Sequence, residues 1–275
     1  MALTRRIFRK FDLFWRALKK FNEDHGFFLS SGIAFNLLIC LIPMSLLLLA
    51  MGGTYLHSDR EVFGQIRRYI ESALPSLDPR IMRNILRIIR DRKIVGMLGI
   101  VGLAWTSTWV FSSIRIAFDT IFQTKKRGMF WGKLIDLVMI LLAGTFLMIS
   151  MVLTSGMTFI QSNYGNHFWG TPTFQFFLKY VIPFFFTYWM SFLIYKIIPN
   201  RSVRFRTALQ AALFTSLLWE AAKQLFGWYV LHSERFSMVY GSLGTIAVFF
   251  LWVYYSSAIL LLGGEFAFLT DKRKE

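Results

Sequence analysis

The chain has 275 residues, of which 55% are hydrophobic and 18% aromatic, and it carries a formal net charge of +16. Its mean hydropathy of +0.50 is well above that of water-soluble domains, so the composition excludes an ordinary soluble enzyme. The single cysteine, Cys40, excludes an intramolecular disulfide, and packing is its expected role.

A basic amphipathic segment over residues 1–25 comes first. It combines seven Lys or Arg residues with apolar residues at helical spacing, which predicts a helix lying against the cytoplasmic leaflet. The apolar stripe consists of Leu3, Ile7, Phe11, Phe14, Leu18 and Phe21. Anionic lipids attract such a segment, and a role in setting the topology is sufficient to explain it.

Six long apolar runs follow, and each can cross a bilayer core of about 30 Å as a helix. They cover residues 28–53, 94–122, 134–160, 176–198, 207–231 and 242–269. The first run exceeds the apolar region of a cleaved signal peptide, so we expect it to be retained. The predicted fold class is all-α, a polytopic membrane protein with a six-helix membrane domain over 26–270 and a cytoplasmic tail over 271–275.

Lys and Arg are concentrated in segments that share one side if the N-terminus is inside. These segments are 1–25, 125–133, 201–206 and 272–274. The positive-inside rule therefore predicts that both termini are cytoplasmic.

The first external loop, 57–93, is rich in arginine and conflicts with this rule. Two amphipathic helices within 58–92 explain the conflict, because the arginines of the second helix share one face. That row consists of Arg80, Arg83, Arg87 and Arg90. It can be a solvated basic face, or it can bind anionic lipid headgroups or a partner protein.

Charged residues inside the apolar runs are the candidate functional residues. Glu220 and Lys223 lie three residues apart near the middle of the fifth run, where each charge costs roughly 2.5–3.5 kcal/mol. Arg115 and Asp119 are four residues apart in the second run and form a second possible pair. The predicted topology places three further polar residues toward the same side: Asn36, Asp136 and Glu265. Together they predict a substrate-binding, hydrated cavity open to the cytoplasm; the alternative is a set of ion pairs that fix helix register.

Glycines within the runs permit close approach of helix backbones. They include Gly96, Gly99, Gly102, Gly263 and Gly264.

Two segments carry recognisable motifs. The later one contains Tyr240-Gly241-Ser242-Leu243-Gly244, Phe250-Leu251-Trp252-Val253-Tyr254-Tyr255 and Leu261-Leu262-Gly263-Gly264-Glu265. The earlier one contains Tyr195, Ile198-Pro199-Asn200, Arg204, Ala208 and Leu218-Trp219-Glu220 with Lys223. Through these motifs, residues 25–270 resemble the YihY/virulence factor BrkB family of bacterial inner-membrane proteins, some of which were once described as ribonuclease BN.

The resemblance implies six membrane helices, cytoplasmic termini and a location in the bacterial inner membrane. For the function it implies envelope biogenesis, with movement or flipping of anionic phospholipids as the physically most reasonable activity. The alternative is a non-transporting scaffold that docks an envelope protein through its outer loop. A homo-oligomer is compatible with both functions.

Enzymatic functions find no support in the sequence. A metal-dependent nuclease needs His, Asp or Glu ligands that converge on a cation, and the 4 histidines lie in separate segments without a ligand motif. Phosphate-binding Gly-Lys-Ser/Thr loops and Gly-x-Ser-x-Gly elbows do not occur in the sequence. We therefore expect no enzyme activity, no cofactor, no metal site and no nucleic-acid partner.

Overall fold

A computed structural model describes residues 2–56, 92–124, 128–164, 180–232 and 234–272. Within these ranges the chain forms α-helices and no strand, which confirms the all-α prediction. The helices are α1 (Ala2–Glu23), α2 (Gly26–Leu56), α3 (Arg92–Ile121), α4 (Met129–Tyr164), α5 (Ile182–Ile197), α6 (Phe205–His232) and α7 (Glu234–Lys272).

Each of the six apolar runs overlaps one helix from α2 to α7, and residues 176–179 of the fourth run lie outside the described residues. Within the described ranges, three helical segments are long and apolar enough to span a membrane: Gly26–Leu48, Lys93–Ile121 and Ala247–Lys272. The apolar helix Ile182–Ile197 is shorter. The membrane class is thus confirmed, whereas the number of six spans stays a prediction. The external amphipathic helices and the arginine row Arg80, Arg83, Arg87 and Arg90 lie outside the described residues.

The chain divides into two compact units. One unit, here called the main unit, comprises Met1–Phe35 and Val110–Glu275, and the other comprises Asn36–Trp109.

In the Asn36–Trp109 unit, α2 and α3 pack against each other in antiparallel directions with very little space between them. The Cys40 thiol contacts the Thr106 hydroxyl at 3.2 Å, and further along α2 the backbone of Leu47 faces Gly99. A Cβ atom on Gly99 would lie 3.1 Å from the Leu47 nitrogen. The missing side chain therefore permits the close approach that the sequence predicted.

In the main unit, α6 packs against both α5 and α7, while α1 packs against α7 and α4 against α5. A buried network of hydrogen bonds joins α5, α6 and α7. The Tyr195 hydroxyl donates to the Leu260 carbonyl at 2.9 Å and lies 2.6 Å from the Thr215 hydroxyl. A Cβ atom on Gly263 would collide with both hydroxyl groups, so only glycine leaves room for this network.

A larger side chain at Gly99 should separate α2 from α3. We expect Gly99→Leu to destabilise the protein by about 1–3 kcal/mol, the usual range for overpacking. The measurement is thermal unfolding of the purified protein in detergent. Gly144→Leu in α4 is the matched control, because a Cβ atom there meets nothing within 4 Å. Equal effects of the two substitutions would contradict the close packing of α2 against α3 at Gly99.

Candidate functional site

The first charge cluster joins α3 to α4. Arg115 Nε lies 3.2 Å from Asp136 Oδ1, and its terminal nitrogen donates to Asp136 Oδ2 at 3.2 Å. The Ser112 hydroxyl also donates to Asp136 Oδ2, at 2.8 Å. Asp136 is only 1% exposed, so it is a buried carboxylate that forms a bidentate ion pair with Arg115.

The cluster corrects one sequence-based pairing. Arg115 bonds to Asp136 and Ser112 rather than to Asp119, its neighbour one helical turn away. Asp119 is buried and accepts a hydrogen bond from the Thr124 hydroxyl at 3.2 Å, just beyond the end of α3. Helical spacing alone could not distinguish the two carboxylates, because the position of α4 beside α3 decides the partner.

The second cluster joins α1, α3 and α7 through one ammonium group. Lys20 Nζ lies 2.9 Å from Glu265 Oε2, donates to the Ile121 carbonyl at 3.1 Å and forms an ion pair with Asp24. It also lies 4.5 Å from the centre of the Phe268 ring, a cation–π distance. Glu265 is 0% exposed, whereas the side chains of Lys20 and Asp24 are 13% and 19% exposed.

Lys20 is a residue that sequence reasoning missed. It stands among seven basic residues of the N-terminal segment, and the sequence pattern predicts for it only a role in topology. The available signal was weak: Asp24 follows at helical spacing, and Phe21 of the apolar stripe, which is 2% exposed, stands next to it. Its role depends on α1 packing against α7.

The third cluster lies on α6 alone. Lys223 Nζ is 2.6 Å from Glu220 Oε2, and the Gln224 amide donates to Glu220 Oε1 at 3.1 Å. The side chains of Glu220 and Lys223 are 26% and 37% exposed. Within the described part of the chain, the polar contacts of Glu220 and Lys223 all stay on this helix.

The surroundings of this pair are apolar and exposed. Spacings of three and four residues place Leu213, Leu217, Glu220, Gln224 and Trp228 along one face of α6. Leu217 and Trp228 are 57% and 62% exposed. The pair therefore interrupts an exposed apolar stripe, a surface of the kind that contacts acyl chains.

Five of the predicted cavity residues thus fall into three groups that share no residue, while Asp119 and Asn36 belong to none of them. Asp136 and Arg115 form one, Glu265 with Lys20 another, and Glu220 with Lys223 the third. Asn36 belongs to the Asn36–Trp109 unit and is half-buried there. The single cavity predicted from the sequence stays a prediction.

A family model described as virulence factor BrkB matches residues 17–275, which include α2 to α7 and the three clusters. The chain belongs to the virulence factor BrkB family. This membership confirms the resemblance found in the sequence motifs, and it makes the chain an integral membrane protein. No solved structure matches the chain significantly.

Several relatives are known as UPF0761 membrane proteins. The relative from Glaesserella parasuis is 28% identical over 78% of this chain and 76% of its own length. The relative from Pseudoalteromonas atlantica is 26% identical over 93% of this chain and 85% of its own length. A longer relative from Prosthecochloris aestuarii is 26% identical over 91% of this chain, which spans 58% of that protein.

Removal of the Asp136 carboxylate should leave the Arg115 guanidinium without its partner between α3 and α4. We expect Asp136→Ala to lower the free energy of unfolding by about 3–5 kcal/mol, the cost of breaking a buried pair. Thermal unfolding in detergent measures the change. Asp12→Asn serves as a control, because its partner Arg16 is 67% exposed and such surface pairs contribute about 1 kcal/mol or less. A small effect of Asp136→Ala would mean that the buried pair does not hold these helices together.

Proposed function

We propose that this protein moves anionic phospholipids between the leaflets of the bacterial inner membrane for envelope biogenesis. The observation that carries the proposal is the half-exposed Glu220–Lys223 pair in an exposed apolar stripe of α6. A phospholipid is amphipathic in the same way, with a charged headgroup next to apolar chains. Lys223 would contact the lipid phosphate, while exposed leucines such as Leu213 and Leu217 contact the chains.

The energetics of the pair favour a binding role over a structural one. A charge in the middle of a membrane helix costs roughly 2.5–3.5 kcal/mol. The buried carboxylate of Asp136 offsets this cost through its bonds to Arg115, and Glu265 contacts the Lys20 ammonium of α1, so both carboxylates join different helices. Glu220 and Lys223 link only two turns of α6, so contacts between described helices do not explain why these charges are present.

Exchange of partners gives a simple mechanism. Without lipid, Glu220 neutralises Lys223 at 2.6 Å. An arriving phosphate replaces that carboxylate with another anion, so the ammonium keeps its charge throughout. Glu220 is left with the Gln224 amide as a hydrogen-bond donor, which lowers the cost of its release. When the lipid leaves, the carboxylate returns to Lys223.

In this proposal the remaining predicted polar residues do not contact the lipid. Arg115, Asp119, Asp136 and Glu265 set the positions of the helices, while Asn36 lies in the other unit. Lipid movement of this kind involves no covalent step, so the proposal includes no enzyme activity, cofactor or nucleic-acid partner. Both termini are proposed to be cytoplasmic, as the distribution of Lys and Arg favours.

The double variant Glu220→Gln, Lys223→Met tests the proposal. It removes both charges at once and leaves no uncompensated ion, so we expect normal folding. Loss of a charged contact worth about 1.5–3 kcal/mol should slow lipid movement roughly tenfold or more. The measurement uses liposomes with a fluorescent anionic phospholipid and a quencher that cannot cross the membrane.

The matched control is Asp12→Asn, Arg16→Met, which removes an intrahelical ion pair from α1. This control should move lipid at the rate of the parent protein. An α6 double variant that is as active as the parent would show that the pair only stabilises the helix. A parent protein that folds but moves no lipid would favour the scaffold alternative, whose predicted docking loop lies outside the described residues.

Reporter fusions test the proposed orientation. Fusions after residues 127 and 203 and at the C-terminus should report a cytoplasmic location, because basic residues concentrate in these segments. Fusions within 75–80 and at 165 should report the external side. An external C-terminus would overturn the orientation without affecting the geometry of the α6 pair.

A further inference from the structure

The Lys20 cluster contains more negative than positive charge. Two carboxylates, those of Asp24 and Glu265, contact the same ammonium nitrogen. They must therefore lie within a few ångströms of each other. The Ile121 carbonyl at the end of α3 adds the negative end of a helix dipole to the same nitrogen. With all three side chains ionised, the cluster has one uncompensated negative charge.

Glu265 is the least well satisfied member of this cluster. Its contact with Lys20 is close enough for an ion pair but is not aligned as a hydrogen bond. Neither of its carboxylate oxygens has a hydrogen-bond donor among the described residues, although the side chain is 0% exposed. A buried carboxylate in this state is costly, and protonation removes the cost.

Other charged groups near this end of the main unit already have partners or face outward. Asp271 on α7 is buried, and its Oδ1 lies 3.5 Å from the backbone nitrogen of Arg204. Asp119 on α3 accepts from Thr124; Lys272 is exposed, and its Nζ lies 5.9 Å from the centre of the Phe268 ring. The exposed groups on α1, the following turn and α6 are Lys19, Glu23, His25 and Arg206. Lys125, Lys126 and Arg127 lie outside the described residues.

We propose that Glu265, Asp24 and Lys20 form a buried proton-binding site in which the two carboxylates share one proton. The proton resides on Glu265, and the Asp24 carboxylate accepts its hydrogen bond. Asp24 stays ionised because it accepts a hydrogen bond from the Lys20 ammonium, which Glu265 does not, and because it is the more exposed of the two acids. Loss of the proton from Lys20 instead would leave two charged carboxylates without a cation.

The geometry favours a proton over a metal cation. The Lys20 ammonium already contacts both carboxylates, where a metal ion would have to bind. A proton adds positive charge without displacing the Lys20 ammonium. The site goes beyond the proposed lipid movement and holds whether or not the chain moves lipid, because it depends only on the contacts among α1, α3 and α7.

Infrared difference spectroscopy of the full chain in lipid tests the proposal. At neutral pH the parent protein should show the C=O stretching band of a protonated carboxylic acid. Glu265→Gln should lack this band, because its amide replaces the protonated acid. Asp24→Asn should lack it as well, since one lysine then neutralises one glutamate without a proton. If one of these two variants folds poorly, the other still tests the site.

Glu23→Gln is the matched control and should retain the band. Glu23 is an acid on α1 next to Asp24, but its side chain is 60% exposed and it pairs with Lys19. Identical bands in the parent and Glu265→Gln would show that Glu265 is ionised and would overturn the proposal. A band that persists in Asp24→Asn would overturn the sharing of the proton. Loss of the parent band when sodium replaces potassium would show that sodium displaces the proton, and it would overturn the preference of the site for a proton over a metal cation.

Discussion

A carboxylate taken out of water costs several kcal/mol unless an opposite charge replaces its hydration. Asp136 and Glu265, at 1% and 0% exposed, are under this constraint, and their partners come from other helices. Arg115 can reach Asp136 only if the last turns of α3 lie close to the first turns of α4. Lys20 can reach Glu265 only if α1 lies against α7. The pairing of buried charge therefore restricts how four of the seven described helices are arranged.

Close backbone packing makes these pairings possible. Gly263 admits the Tyr195 and Thr215 hydroxyl groups next to α7, two residues before Glu265. The Tyr195 hydroxyl then reaches the Leu260 carbonyl, so α5, α6 and α7 are held by directional bonds as well as by packing. Hydrophobic burial contributes little specificity between membrane helices, because lipid is as apolar as a leucine side chain. Small residues and polar contacts have to provide it.

The charge pair on α6 differs from the other two in what it connects. Glu220 and Lys223 share a helix, stay half-exposed and are flanked by apolar side chains such as Leu217. Membership in the virulence factor BrkB family and the names of the relatives establish a membrane protein and leave the activity open. The proposed lipid movement therefore depends on the exposed position of this pair, and the proton site depends on the buried position of the Lys20 cluster.

The sequence by itself determined the helical class, because each of the six apolar runs overlaps one helix from α2 to α7. It also identified the charged residues that interrupt the apolar runs, including Glu220 and Glu265, since hydropathy is a local property. Only the tertiary structure decided the partners. Helical spacing paired Arg115 with Asp119, whereas packing of α4 supplied Asp136. Spacing describes one helix at a time, and a contact such as Lys20 with Glu265, far apart in the chain, depends on which helix faces come together.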